Sequence, residues 1–311
     1  MPGYRYKRSF RLFSRYPAAL SVGATDVERA LSAIAQQSSQ PDSREKRRAL
    51  IRHSNAHGDP FAICHCSVEI ERLVLLPSII EVMWIHYDVT EELDHAAACR
   101  EHIALAEVLK IDVQPSDFTS KNLRQRELAT SLRKAIDLDL EKAPKMIENL
   151  QHYLATFDNR DDDFDRMEEY MRYRVANCGY WQGYHLYSLG MGITLSQDDH
   201  ESIRQYDFTM GNILGLTNDY FSWNVEKNQT TDRIRNAVRV LIKQHDISPD
   251  AAKSLLLGLI VEEESKSAEL KKERLKRPIS HGLSMYFEAI ELYVGGSCFW
   301  HATAPRYRVF E

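Results

Sequence analysis

Breakers are scarce in this sequence: 311 residues hold only 13 glycines and 10 prolines. Nowhere does an alternation of apolar and polar residues persist, so a half-buried sheet has no candidate strands. Together these absences leave an all-α fold. No internal repeat is present, which excludes a solenoid. A glycine-rich phosphate loop and a nucleophile elbow are both missing, and with them the chemistries they serve. Basic residues are not in excess; the formal net charge of −5 argues against a nucleic-acid surface. No apolar run approaches the roughly 20 residues that cross a bilayer, so no membrane span is expected. Cysteine is limited to five, an odd number that reads as reduced thiols in a cytoplasmic protein rather than a disulfide framework.

What is present is ordinary globular material, 43% hydrophobic and 27% charged. The length suits a single domain over residues 1–311 with ample core. The first 25 residues contain no acid but carry Arg5, Lys7, Arg8, Arg11 and Arg15. Interleaved rings (Tyr4, Tyr6, Phe10, Phe13, Tyr16) favour a segment packed on the domain over a transit peptide. Residues 26–37 and 43–55 read as short helices around Pro41, and 61–93 as an apolar segment broken only at Pro77. Further helices are predicted over 94–111, 125–157, 164–192, 200–227, 232–245, 248–274 and 280–300. Segments 73–86, 175–190 and 208–223 are apolar or aromatic nearly all round, as in helices enclosed by a bundle.

The chain is organised around Asn218-Asp219-Tyr220-Phe221-Ser222-Trp223-Asn224-Val225-Glu226-Lys227. Asn218, Ser222 and Glu226 recur every fourth residue, drifting only about 80° around a helix over roughly 12 Å of its length. An amide oxygen, a hydroxyl and a carboxylate are hard ligands, suited to Mg²⁺ and not to zinc. Lys227 adds a cation that would meet an anion held by such a metal. The plainer reading of this triad alone is a solvated polar face.

A second stretch, Trp84-Ile85-His86-Tyr87-Asp88-Val89-Thr90-Glu91-Glu92, closes an apolar helix with an abrupt acidic end. Asp88, Glu91 and Glu92 fall at i, i+3, i+4 on one face. Carboxylates crowded at the electronegative end of a buried helix are unfavourable without a cation, which a metal would supply; the plainer reading of this stretch alone is a helix leaving the core. Asp88 precedes Asn218 by 130 residues, enough for two ligand-bearing helices to face each other across a bundle.

These residues resemble the metal-binding pair of class I terpene synthases, and more closely the cyclase domain of fungal fusicoccadiene-synthase-type di- and sesterterpene synthases. Arg174, in Tyr173-Arg174-Val175-Ala176-Asn177-Cys178-Gly179, stands where that family has a diphosphate-sensing arginine. Asn236-Ala237-Val238, the Arg306-Tyr307 pair, Gly58-Asp59-Pro60-Phe61 and Glu71-Arg72-Leu73 also match in place. The resemblance implies one helical bundle with a deep central pocket and three Mg²⁺ ions clamping the diphosphate of a prenyl substrate. Arg174, Lys227, Arg306 and Tyr307 would grip its oxygens, with Asn177 linked to the sensor. Phe61, Trp84, Phe221, Trp223 and Trp300 are the candidate rings around the carbocation, and about half of them are expected to line the pocket. The implied substrate is geranylgeranyl diphosphate, made by a separate prenyltransferase because no such domain is read here. Farnesyl and geranylfarnesyl diphosphate stay open, since chain length follows cavity depth.

Two departures stand out. Tyr87 occupies the place of the family's first aspartate, and Asn177 that of the aspartate linked to the sensor. Either Asp88 with Glu91 or Glu92 serves instead, or metal binding leans on the triad, or activity is weak. A non-catalytic isoprenoid-diphosphate binder is therefore an alternative. A chain-elongating prenyltransferase would need a second Asp-rich motif where the triad stands. Asp161-Asp162-Asp163-Phe164-Asp165 imitates one but is read as a solvated helix start. Asp137-Leu138-Asp139-Leu140 lacks the third acid of a protonation motif. The ligand types at His53, His57, Cys64 and Cys66 are read as belonging to a turn and an apolar helix rather than to zinc.

Overall fold

The computed structural model describes residues 4–6, 13–119, 121–156, 158, 163–227 and 235–307. Its helices are α1 (Ala24–Gln37), α2 (Arg44–His53), α3 (Pro60–Cys64), α4 (Ile70–Thr90), α5 (His95–Ala106), α6 (Leu123–Leu138) and α7 (Lys142–Thr156). They continue with α8 (Met167–Asn177), α9 (Gln182–Met191), α10 (Gln197–Glu226), α11 (Ala237–His245), α12 (Pro249–Arg274) and α13 (His281–Thr303). A 3₁₀ turn, Pro305–Tyr307, follows α13. One element was not foreseen: a two-stranded antiparallel pair, β1 (Tyr4–Tyr6) and β2 (Ala19–Ser21), in register Arg5 to Leu20.

Helix boundaries follow local chemistry. Asp59 accepts from the backbone N–H of Phe61 and Ala62, with Pro60 at the first helical position, and so starts α3. Ser196 and Asp199 form a reciprocal capping box for α10. Pro77 does not break the apolar segment, which instead divides between Cys64 and Ile70; Pro77 stays inside α4. The segments predicted as single helices over 125–157 and 164–192 each split in two. Asp139 terminates the first by accepting from the N–H of Glu141 and Lys142. Gly179, at φ 75°, turns the chain out of α8.

α10 packs lengthwise on α12 and α13 and also meets α8 and α11, while α4 is enclosed by α1, α2, α6 and α9. Contrary to expectation, α4 is long and apolar enough, by length and composition, to cross a bilayer. It is instead an enclosed helix, with Leu73, Ile79, Val82 and Ile85 fully buried. The N-terminal segment from Phe13 lies on the bundle: Phe13 stacks on Phe221 at 6.0 Å, and the Tyr16 and Ser267 hydroxyls are 2.5 Å apart. Lys7, Arg8, Phe10 and Arg11 lie outside the described residues.

Candidate active site

The C-terminal ends of α4 and α10 carry the two polar faces, and the turn after α13 spans the gap between them. Arg306 reaches Asp88 at 3.4 Å, and the Tyr307 hydroxyl lies 3.4 Å from Asn218 Nδ2. The charges of Glu226, Arg52 and Asp88 all act on Tyr307. Tyr87, about half exposed on α4, feels Glu91, Arg174 and Glu226. The acidic end and the triad face therefore meet at one mouth of the bundle.

Arg174 is the centre of the α10 side. Its Nε donates to Asp219 at 3.0 Å, Nη1 to Asn177 at 2.6 Å and Nη2 to Asn218 Oδ1 at 2.5 Å. Burial opposes its charge, but Asp219 outweighs that and holds the guanidinium well above its ordinary value. Asp219 is fully buried and also accepts from the Tyr170 hydroxyl at 2.6 Å and the Ala237 N–H at 3.1 Å. The Asn218 amide is oriented from its other side. His301 donates Nδ1–H to the Ser297 carbonyl, leaving Nε2 to accept from Asn218 Nδ2 at 2.9 Å. Burial pushes His301 down to about 4, so it accepts as a neutral ring.

Ser222 and Glu226 share one donor. Asn236 Nδ2 lies 3.2 Å from Ser222 Oγ, 2.9 Å from Glu226 Oε2 and 3.0 Å from the Asp219 carbonyl. An amide carries two hydrogens for these three oxygens, and the Ser222 hydroxyl adds its own to Glu226. Burial and the neighbouring Asp219 raise the Glu226 carboxyl above its ordinary value. Lys227 is exposed at the end of α10 and acts on Lys253 of α12, outside this ring of contacts.

The α4 side has a different character. Arg44, Arg48 and Arg52 are spaced four apart on α2 and meet the acids in order. Arg52 is bound to Asp88 and, at 2.6 Å, to Glu81; Arg48 contacts Asp88 at 3.4 Å and pairs with Glu91; Arg44 pairs with Glu92. Burial would push the Asp88 carboxyl up, but Arg52, Arg306 and Arg48 outweigh it and hold it below the usual range. Sequence reasoning missed this ladder, although the i, i+4, i+8 spacing of Arg44, Arg48 and Arg52 was its signal. It missed Asp219 and His301 as well. Asp219 lies beside the triad but off its face, and His301 is joined to it only by folding.

Below the mouth, Arg52 caps the Trp84 ring at 5.2 Å, and Trp84 stacks on Phe61 at 4.8 Å. Phe61 in turn lines an apolar hollow with Leu73, Leu76, Ile80 and Leu186. The hollow measures about 10 Å³, room for about one water. This hollow is far smaller than the deep pocket expected. Phe221 and Trp300 belong elsewhere: both pack in the small cluster around Tyr307, Trp300 edge-on to it at 5.6 Å. Trp223 is partly buried against the main core. Asp161 and Asp162 lie outside the described residues, whereas Asp163 and Asp165 pair with Arg239 and Lys243 of α11.

Residues 81–266 match the family model described as terpene synthase family 2, C-terminal metal binding. A terpene cyclase of Stachybotrys chlorohalonatus is 30% identical over 159 residues, covering 50% of this chain and 42% of its own length. A sesterterpene synthase of Colletotrichum orbiculare is 26% identical over 254 residues, covering 78% of this chain and 36% of its own. The chain therefore spans less than half the length of these curated relatives. Among solved structures, aristolochene synthase from Penicillium roqueforti superposes with a TM-score of 0.79 at 18% identity, covering 94% of this chain and 98% of the other. The fold is thus that of a terpene synthase helical bundle.

Proposed function

We infer that this chain, which belongs to terpene synthase family 2, is a class I terpene cyclase that ionises a prenyl diphosphate and cyclises the resulting carbocation. The observation that carries the reading is the chain of contacts from Asp88 through Arg306 and Tyr307 to Asn218, joined through Arg52, Trp84 and Phe61 to an apolar hollow. We take geranylgeranyl diphosphate as the substrate. Geranylfarnesyl diphosphate is the second reading, favoured by the name of the Colletotrichum relative.

The residues fit the family's metal on one side only. Asn218 Oδ1 accepts from Arg174 and keeps a second lone pair, and the oxygens around Asn236 exceed its hydrogens. Asn218, Ser222 and Glu226 would therefore hold Mg²⁺. On the α4 side, Glu81, Asp88, Glu91 and Glu92 face Arg44, Arg48, Arg52 and Arg306, a balanced set. That end fits no divalent ion unless arginines swing away, so the three-ion complement implied by resemblance has support at the triad alone. Mg²⁺ bound there would neutralise the diphosphate and stabilise it as a leaving group.

The remaining work falls to the protein. Arg174 and Arg306 present forked donors to diphosphate oxygens, each held by a buried carboxylate, and Tyr307 adds a hydroxyl. Phe61 and Trp84 offer ring faces to the cation and keep water from it. Incubating the protein with Mg²⁺ and each prenyl diphosphate, then analysing extracts by gas chromatography, separates the readings. A cyclic hydrocarbon or alcohol supports the cyclase, a longer diphosphate an elongase, and no turnover a binder. Asn218→Ala and Glu226→Ala should each lower turnover at least about a hundredfold. Wild-type rates in both would end the metal assignment.

A further inference from the structure

Among the side chains lining the hollow, His65 is the one polar group. It follows the last residue of α3, and its ring lies 6.2 Å from Phe61 and 4.8 Å from Tyr293. Nδ1 is 3.2 Å from the Tyr187 hydroxyl, which donates to the Cys64 carbonyl at 3.4 Å. A phenol has one proton. Assigning that proton to the carbonyl makes the hydroxyl an acceptor from His65, with Nδ1 carrying the ring's hydrogen and Nε2 its lone pair. Burial pushes the imidazole down to about 4, and the ring is neutral at pH 7.

Resting on the cyclase reading above, we propose that His65 takes the proton that ends the carbocation cascade. A C–H bond beside the cationic carbon breaks, its electron pair closes the C=C bond, and the proton passes to Nε2 to give an imidazolium. A carbocation is so strong an acid that a weak base suffices. The requirement is a neutral lone pair in an otherwise apolar wall, and Phe61, Leu73, Leu76, Ile80 and Leu186 have none to offer. The imidazolium is held against the Tyr293 and Tyr187 rings until the hollow opens, when it loses its proton to water or to the departing diphosphate.

The test uses the full chain with Mg²⁺ and geranylgeranyl diphosphate, following diphosphate release and product spectrum separately. In His65→Ala, diphosphate release should stay within about threefold of wild type while the wild-type product gives way to others. Added imidazole should restore that product, and pyrrole, of similar shape but not basic, should not. Restoration by both molecules, or an unchanged product ratio, overturns the proposal by reducing His65 to packing. Should His65→Ala not fold, His65→Gln keeps much of the volume without the base, and retention of the wild-type ratio by that variant is equally fatal. Failure of wild-type protein to release diphosphate from any prenyl substrate would instead remove the cyclase reading, and this role with it.

Discussion

Tyr87 stands where the resemblance leads to the expectation of an aspartate, and its surroundings bear on what a carboxylate would do there. The ring is about half exposed, and Glu91, Arg174 and Glu226 all act on its hydroxyl. A carboxylate there would stand near Arg174 and add an oxygen ligand beside the triad. Tyr87→Asp is therefore expected to preserve turnover or raise it a fewfold, and to lower the Mg²⁺ concentration needed for half-maximal rate. Steady-state rates across a Mg²⁺ series check this. An inactive but folded variant would show that the phenol has a role of its own. The triad was readable from spacing because a helix repeats every 3.6 residues. Its partners were not: Asn236 shares hydrogens with Ser222 and Glu226, and His301 orients Asn218 from another helix.

At the scale of elements, α8 must press closely on α10 for Arg174 to reach Asn218 and Asp219. Gly215 permits this, since a Cβ there would lie 2.9 Å from Arg174 Cγ and 3.5 Å from Cys178 Sγ. Gly215→Ala should displace Arg174, lowering turnover about tenfold or more and stability by about 1–3 kcal/mol. Kinetics and urea denaturation measure the two effects, and wild-type values for both would show that α8 yields freely. The contact between α2 and α4 makes a second claim. Because Arg48 and Arg44 already neutralise Glu91 and Glu92, Glu91→Gln and Glu92→Gln should leave Mn²⁺ affinity within about twofold. Glu226→Gln should weaken it at least about tenfold. Electron paramagnetic resonance with Mn²⁺ and inorganic pyrophosphate reads both, and equal losses at 91 and 226 would place an ion on α4 after all. The acidic end of α4 was plain in the sequence as a charge conflict. That arginines from α2 resolve it was decided by how two helices far apart in sequence lie together.

Across the whole molecule, stability depends on charges far from the mouth. Asp207 of α10 is buried between Tyr180 and Tyr286, which donate to it at 3.1 and 2.9 Å. Burial nevertheless pushes its carboxyl from 3.8 up to about 6. A carboxyl raised in the folded state contributes stability in full below its unfolded value and loses it as pH rises through the folded one. Asp207→Asn should therefore gain on wild type by about 3 kcal/mol as pH rises from about 4 to beyond about 6. Denaturation at pH 4, 5, 6 and 7 tests it, and a constant difference would reject the burial argument. The small hollow belongs to this scale too. Phe61 of α3 lines it and stacks on Trp84 of α4 at 4.8 Å, a contact made only by packing the two helices together. By itself the sequence determined the helical class, the periodic faces and the shared face of Asn218, Ser222 and Glu226, because each depends on residues within a few turns of one another. Tertiary structure alone decided which charge meets which, that α2 arginines satisfy the α4 acids, and that His65 reaches the hollow, because local spacing shows which residues share a face and not which distant segment that face will meet.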